Sequence, residues 1–283
     1  MACASRELVQ PFTLESFREL QLSLNSYTDV VADLLTKAGG QVKLAGAVLE
    51  SDLALIKRIP LSLGLSDESV TEQIEWEARQ QLISDRDDYV LDFQRLPRNT
   101  KEGNPQYLMV LIRKMVVRQL KKIFADLGLR LVDIDLDIFS LVRVLANNGV
   151  PSDGPTCLID IQYDSLTFII VQDREFYLAQ RVRFKGGREE VDGICDRLLK
   201  ELKRLVFGHN LGTEVSVFKN IYLTGSDLAA GVKEKLDMSE LSGTSLLRPF
   251  EHLSLRLDGE SCSPELFSAA VGMALKQNSL LHS

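Results

Sequence analysis

Histidine, cysteine and tryptophan are scarce in this chain: three, four and one in 283 residues. Cys3, Cys157, Cys195 and Cys262 are far apart. That leaves no Cys-x-x-Cys or His-x-x-x-His spacing on which to build a metal site, and no metal ligand is expected. Scattered thiols fit a reducing compartment better than a disulfide framework, and Cys157 and Cys195, set in apolar patterns, are expected in the core. No apolar run approaches the roughly 20 residues of a spanning helix. The N-terminus has no basic start leading into an apolar stretch, so no secretory signal is expected. Positive charge is also short: 33 Lys and Arg against 40 Asp and Glu give a net charge of -7. Such a chain repels phosphate backbones at long range, so nucleic acid is not the expected partner. Gly-x-x-x-x-Gly-Lys-Ser/Thr, Gly-x-Gly-x-x-Gly, Gly-x-Ser-x-Gly and His-Glu-x-x-His are all missing. His209, His252 and His282 have no nucleophile or ligand at a recognisable spacing, so no catalytic residue is assigned.

What is present is a globular composition, 45% hydrophobic and 26% charged, long enough for about two domains. Steps of three and four run from Phe17 to Leu35 and stop at Gly39-Gly40, predicting a helix. Strand-like runs follow at Val42–Leu49 and Leu53–Ile59. Ser66-Asp67-Glu68-Ser69 supplies N-cap chemistry for a helix through Leu82. Tyr89–Leu96 and Tyr107–Ile112 read as a hairpin across a polar turn. A helix from Val116 to Leu127, a strand Leu129–Ile134 and a helix Ile138–Leu145 lead to Val150–Pro155, the strongest boundary signal. Three strands in series follow, Cys157–Ile161, Leu166–Gln172 and Phe176–Phe184, then Gly186-Gly187 and a helix from Val191 to Val206. The strand Asn220–Leu223, the turn Thr224-Gly225-Ser226, a helix through Leu236, a short strand Leu253–Leu257 and a helix from Pro264 complete an α/β pattern.

Arg113, Lys114, Arg118, Lys121 and Lys122 form the one basic cluster, without interleaved exposed aromatics. A solvated helix face is the plainer reading than nucleic-acid or lipid contact. Glu72, Glu75 and Glu77 beside Trp76 read as another exposed face. Two places carry sharper chemistry. Asp160 ends a buried strand, and Asp164 and Ser165 stand in the turn to the next. A tight strand–turn–strand with a carboxylate and a hydroxyl can hold a phosphate and its Mg²⁺, although Gln162 and Tyr163 stand where glycine would let the backbone approach. Thr224-Gly225-Ser226 sits between strand and helix, where small residues and a helix N-terminus favour an anion. Taken singly, each is an ordinary turn or cap.

In order, these pieces resemble the type IV pilus assembly PilM family of the actin-like ATPases, related to the cell-division protein FtsA. Asp160-Ile161 through Gly186-Gly187 resembles the family's second phosphate hairpin. Glu72–Ala78 with Tyr89–Gln94 resembles its small inserted subdomain, and Leu127–Leu129 through Phe139–Leu141 the return to the core. Ile221–Ser226 resembles the adenosine-side turn, Arg248-Pro249-Phe250 a late Pro-Phe, and Ala269–Leu275 the closing helix. The likeness spans about residues 13 to 277. It implies an actin-like, ribonuclease H-like, two-lobed α/β fold. Residues 1–150 would form the first lobe, with an inserted subdomain over about 42–113, and residues 151–283 a shortened second lobe. Asp160, Ser165, Gly186, Gly187, Gly225 and Ser226 would line a remnant nucleotide pocket.

The family pattern is also broken. The first Asp-x-Gly hairpin is expected to be missing, Gln162 replaces the glycine of the second, Ser226 replaces the second glycine of the adenosine turn, and one helix runs where the family walls its adenine. The resemblance therefore implies a non-catalytic scaffold with no cofactor. It would sit at the inner face of the cytoplasmic membrane, in a pilus or secretion machine, and hold the cytosolic tail of a membrane-anchored partner. The alternative is a nucleotide binder or slow ATPase using ATP with Mg²⁺.

Overall fold

The computed structural model describes residues 24–38, 42–82, 85–97, 100, 103–149, 154–184, 189–238, 241, 243–253 and 263–281. The chain divides into two compact units. Unit one is built on Ile134–Ser283 with Gly46–Val48, and unit two on Leu49–Asp133 with the stretch ending at Ala45.

Unit two starts with helix α1 (Leu24–Ala38); the Phe17–Ser23 part of the predicted helix lies outside the described residues. Strands β2 (Ala54–Pro60), β3 (Tyr89–Leu96) and β4 (Gln106–Arg113) form an antiparallel sheet in the order β2-β4-β3. One face is covered by helix α2 (Asp67–Gln81), which begins where Ser66 accepts the Ser69 N–H, one of the orphan donors of a helix start. Val70, Ile74 and Ala78 recur at helical spacing and pack against Ile59, Tyr89, Met109 and Leu111. Helix α3 (Lys114–Asp126) follows β4 directly and buries Val116, Leu120 and Ile123. Strands β1 (Leu44–Leu49) and β5 (Arg130–Leu136) pair as a two-stranded sheet.

Unit one holds helix α4 (Asp137–Asn147) and a five-stranded sheet in the order β10-β9-β6-β7-β8. Its strands are β6 (Thr156–Ile161), β7 (Ser165–Gln172), β8 (Glu175–Arg183), β9 (Asn220–Gly225) and β10 (Thr244–Leu246). The hairpins β6–β7–β8 are antiparallel, whereas β9 joins β6, and β10 joins β9, in parallel. Every residue of β6 is buried, the near-continuous apolar run expected of a strand covered on both faces. Helices α5 (Val191–Gly208) and α6 (Leu228–Asp237) pack on the sheet through Ile194, Leu198, Leu202 and Val232. Cys157 and Cys195 sit in this core as expected, and burial pushes both thiols up from the ordinary range.

Helix α7 (Ser268–Leu281) packs on α4. A Cβ on Gly272 would stand 2.0 Å from the Ser140 carbonyl oxygen, so only glycine permits this approach. Arg143 donates to the Gly272 carbonyl at 2.7 Å and to Asp135 at 2.9 Å. That packing draws α4 into unit one, so the compact units part at Asp133–Ile134, upstream of the boundary signal at Val150–Pro155. Strand β10 was not foreseen; the expected strand at Leu253–Leu257 has Leu253 in a turn and its remainder outside the described residues.

Candidate functional site

The parallel register of β6 and β9 sets Asp160 opposite Thr224 and Ile161 opposite Gly225. The turn after β6 and the turn after β9 therefore lie side by side at the carboxyl ends of two strands, where open α/β sheets place their ligands. Four of the six residues expected at a nucleotide pocket, Asp160, Ser165, Gly225 and Ser226, come together here. Gly186 and Gly187 lie outside the described residues.

The two turns are bonded to one another. Gly225 has φ +107, and a Cβ there would stand 2.4 Å from the Ile161 carbonyl oxygen and 2.5 Å from Asp160 Oδ1. The Ser226 N–H donates to that Ile161 oxygen at 2.7 Å. Tyr163 donates its hydroxyl to Asp227 Oδ1 at 2.7 Å, bridging the hairpin tip to the start of α6.

A phosphate hairpin presents backbone N–H groups to the ligand. The Gln162 N–H is instead taken by the Ser165 carbonyl at 2.9 Å, and the Gln162 amide donates to Asp160 Oδ1 at 2.8 Å. Asp160 is only 6% exposed. Ser165 Oγ donates to Asp164 Oδ1 at 3.0 Å, and Arg183 reaches Asp164 Oδ2 at 3.1 Å. Ser226 is fully buried, and its Oγ has no hydrogen-bond partner among the described residues. Asp227 as the residue before α6 puts a carboxylate where the helix N-terminus would otherwise draw an anion. Among the described residues no group of three or more metal-ligating side chains converges.

Sequence reasoning missed the side chains that brace this end of unit one. Thr224 Oγ1 and Ser268 Oγ are 2.6 Å apart, and Ser268 donates to the Glu265 carbonyl at 2.8 Å. Arg181 bonds Thr167 at 2.8 Å and forms a largely buried ion pair with Asp137. Thr224 with Ser268, Arg181 with Thr167 and Arg181 with Asp137 are separated by 14 to 44 residues, and no spacing rule reaches that far.

Unit two offers a different surface. Tyr89, Leu91 and Phe93 of β3 face α2, so Val90, Asp92 and Gln94 face the other way. Register places Ala54, Ile112 and Val90 in one row across the sheet's outer face, and Ile56, Val110 and Asp92 in the next. All six are partly or well exposed, Val90 at 42%. Among the described residues no strand pairs with the outer edge of the eight-residue β3. On the helix side, Trp76 is 57% exposed and Lys57 reaches Glu77 at 3.0 Å.

No curated protein sequence matches the chain. Among solved structures, the PilM-PilN type IV pilus biogenesis complex is similar over 90% of this chain and 85% of that one, with a TM-score of 0.73 at 17% identity. Weaker likenesses are the cytoplasmic domain of EpsL, an inner-membrane component of the type II secretion system of Vibrio cholerae (TM-score 0.46, 11% identity, 91% of this chain and 80% of that one), and a Bacteroides thetaiotaomicron protein with an actin-like ATPase fold (TM-score 0.43, 12% identity, 78% and 76%). The expected actin-like α/β fold is the one this chain adopts. The family described as type IV pilus assembly protein PilM matches residues 8–201, and the chain belongs to that family.

Proposed function

We propose that this protein is a non-catalytic scaffold of a type IV pilus or related secretion machine, and that it holds the cytosolic tail of a membrane-anchored partner. The observation that carries the reading is the outer face of the β2-β4-β3 sheet, where Ile56, Val110, Ile112 and Val90 form a partly exposed apolar strip beside the edge of β3 that no strand among the described residues pairs with. An extended segment can add its backbone to such an edge and lay alternate side chains on the face. The solved relative is a complex of PilM with PilN, and a PilN-like protein is the candidate partner.

The tied turns of unit one support binding over catalysis. With the Gln162 N–H taken by Ser165 and the Tyr163 hydroxyl anchored on Asp227, two donors of the hairpin turn are already engaged within the protein. Each lost charge-assisted hydrogen bond costs a ligand roughly 1.5–3 kcal/mol. A photo-crosslinking amino acid at Val90, in the whole protein in its own cells, tests the reading. Capture of a pilus or secretion membrane protein is expected, and repeated capture of only unrelated cytosolic proteins would refute it.

A second reading, a nucleotide binder or slow ATPase, draws on Asp160 at the carboxyl end of β6 and on the buried Ser226 hydroxyl. Titration with Mg-ATP separates the two.

A further inference from the structure

Helix α3 is a local inversion of the protein's charge. Its described side chains divide cleanly: Val116, Leu120 and Ile123 are buried, whereas Arg118, Lys121 and Lys122 are exposed and Lys114 is partly so. Residues 114, 118, 121 and 122 fall at i, i+4, i+7 and i+8, a single stripe of the helix. At a rise of about 1.5 Å per residue the stripe is about 12 Å long. Its four charges are all positive, in a chain whose net charge is -7. Asp126, at the last turn, is the helix's only carboxylate. Among the described residues no carboxylate pairs with Lys114, Arg118, Lys121 or Lys122, whereas Lys37, Lys57, Arg79 and Lys233 all have carboxylate partners.

The first charge of the stripe also sits where the helix disfavours it. Arg113 and Lys114 stand at the α3 N-terminus, which has no acidic residue in its first turn and no side-chain cap. The helix dipole there favours anions and opposes cations. Four like charges without carboxylate partners, the first of them opposed by the helix dipole, are more than a solvated face requires.

We propose that the α3 stripe is a docking surface for an anionic lipid bilayer. Charge complementarity selects the partner. Screening confines the interaction to charges within about 8–10 Å of the bilayer, so a flat anionic surface facing α3 meets the stripe rather than the chain's net charge. The apolar side of α3 is occupied by its own core, which makes this a surface contact without insertion. No exposed aromatic is interleaved on the stripe to stack bases, which disfavours single-stranded nucleic acid. The inference goes beyond the scaffold reading and shares with it only a location at the membrane.

Co-sedimentation of the whole protein with vesicles tests it. One set is half phosphatidylglycerol and half phosphatidylcholine, the other phosphatidylcholine alone. Binding to the anionic vesicles only, lost at high salt, is expected. The triple variant Arg118→Glu, Lys121→Glu, Lys122→Glu is expected to weaken it by at least about tenfold. Lys114→Glu is a second variant that cannot be dismissed as misfolded: it places an anion at a helix N-terminus, so binding weakens while the melting temperature holds or rises. Equal binding to both vesicle types, no binding to either, unchanged binding by the triple variant, or tighter binding to duplex DNA than to vesicles would each overturn the proposal. Because the vesicles contain no protein, its failure leaves the tail-binding reading standing, and the converse also holds.

Discussion

The two sheets of this protein are built on opposite principles. In unit one, β6 is buried along its whole length, and β7 up to its last residue. The strands read as continuous apolar runs because both faces are covered. In unit two, β3 alternates, with Tyr89, Leu91 and Phe93 under α2 and Val90, Asp92 and Gln94 turned outward. Unit one thus spends its polar side chains on tying its turns together, through Gln162 with Asp160 and Tyr163 with Asp227. Unit two has a partly exposed apolar face, and among the described residues no strand pairs with the outer edge of β3. The turns that the scaffold reading takes as closed lie in unit one, and the sheet face it offers to a partner lies in unit two.

Substitutions can break or sharpen that contrast. The largest effect is expected from Phe168→Ala, which empties a fully buried site in the five-stranded sheet and should cost about 4 kcal/mol in denaturant unfolding. Ile74→Ala, the corresponding loss in unit two, removes a fully buried side chain from a smaller cluster and should cost about 3 kcal/mol. Hydrogen exchange should place that loss in β2, β3 and β4. Equal loss of amide protection in β6 and β7 would show that the units do not respond separately. Gly225→Ala forces a Cβ against Ile161 and Asp160 at a positive φ and should cost about 2 kcal/mol; a neutral result would mean that the turns are less tightly locked than described. Val90→Asp, on the exposed face of β3, should change stability by less than about 0.5 kcal/mol while lowering co-purification of the membrane partner. Unchanged co-purification would remove the outer face from the account.

The elements of both units were legible because their signals are local. The Val70, Ile74, Ala78 spacing gave α2 its buried face, and Ser66 marked its start. The polar turn at Gln162–Asp164 separated two apolar runs that became β6 and β7. Strand β10 escaped because three residues, Thr244–Leu246, are too short for a period to show. At the candidate site, the carboxylate of Asp160 and the small pair Gly225-Ser226 were visible in the sequence. What closes the site was not. Tyr163 and Asp227 are 64 residues apart, and only the parallel register of β6 with β9 brings them together.

Isothermal titration of the whole protein with Mg-ATP tests the central claim, that the nucleotide end is tied shut, most directly. No saturable heat is expected at ligand concentrations far above those that suit a working site. Micromolar binding that is lost in Asp160→Ala would contradict the account and make the chain a nucleotide binder.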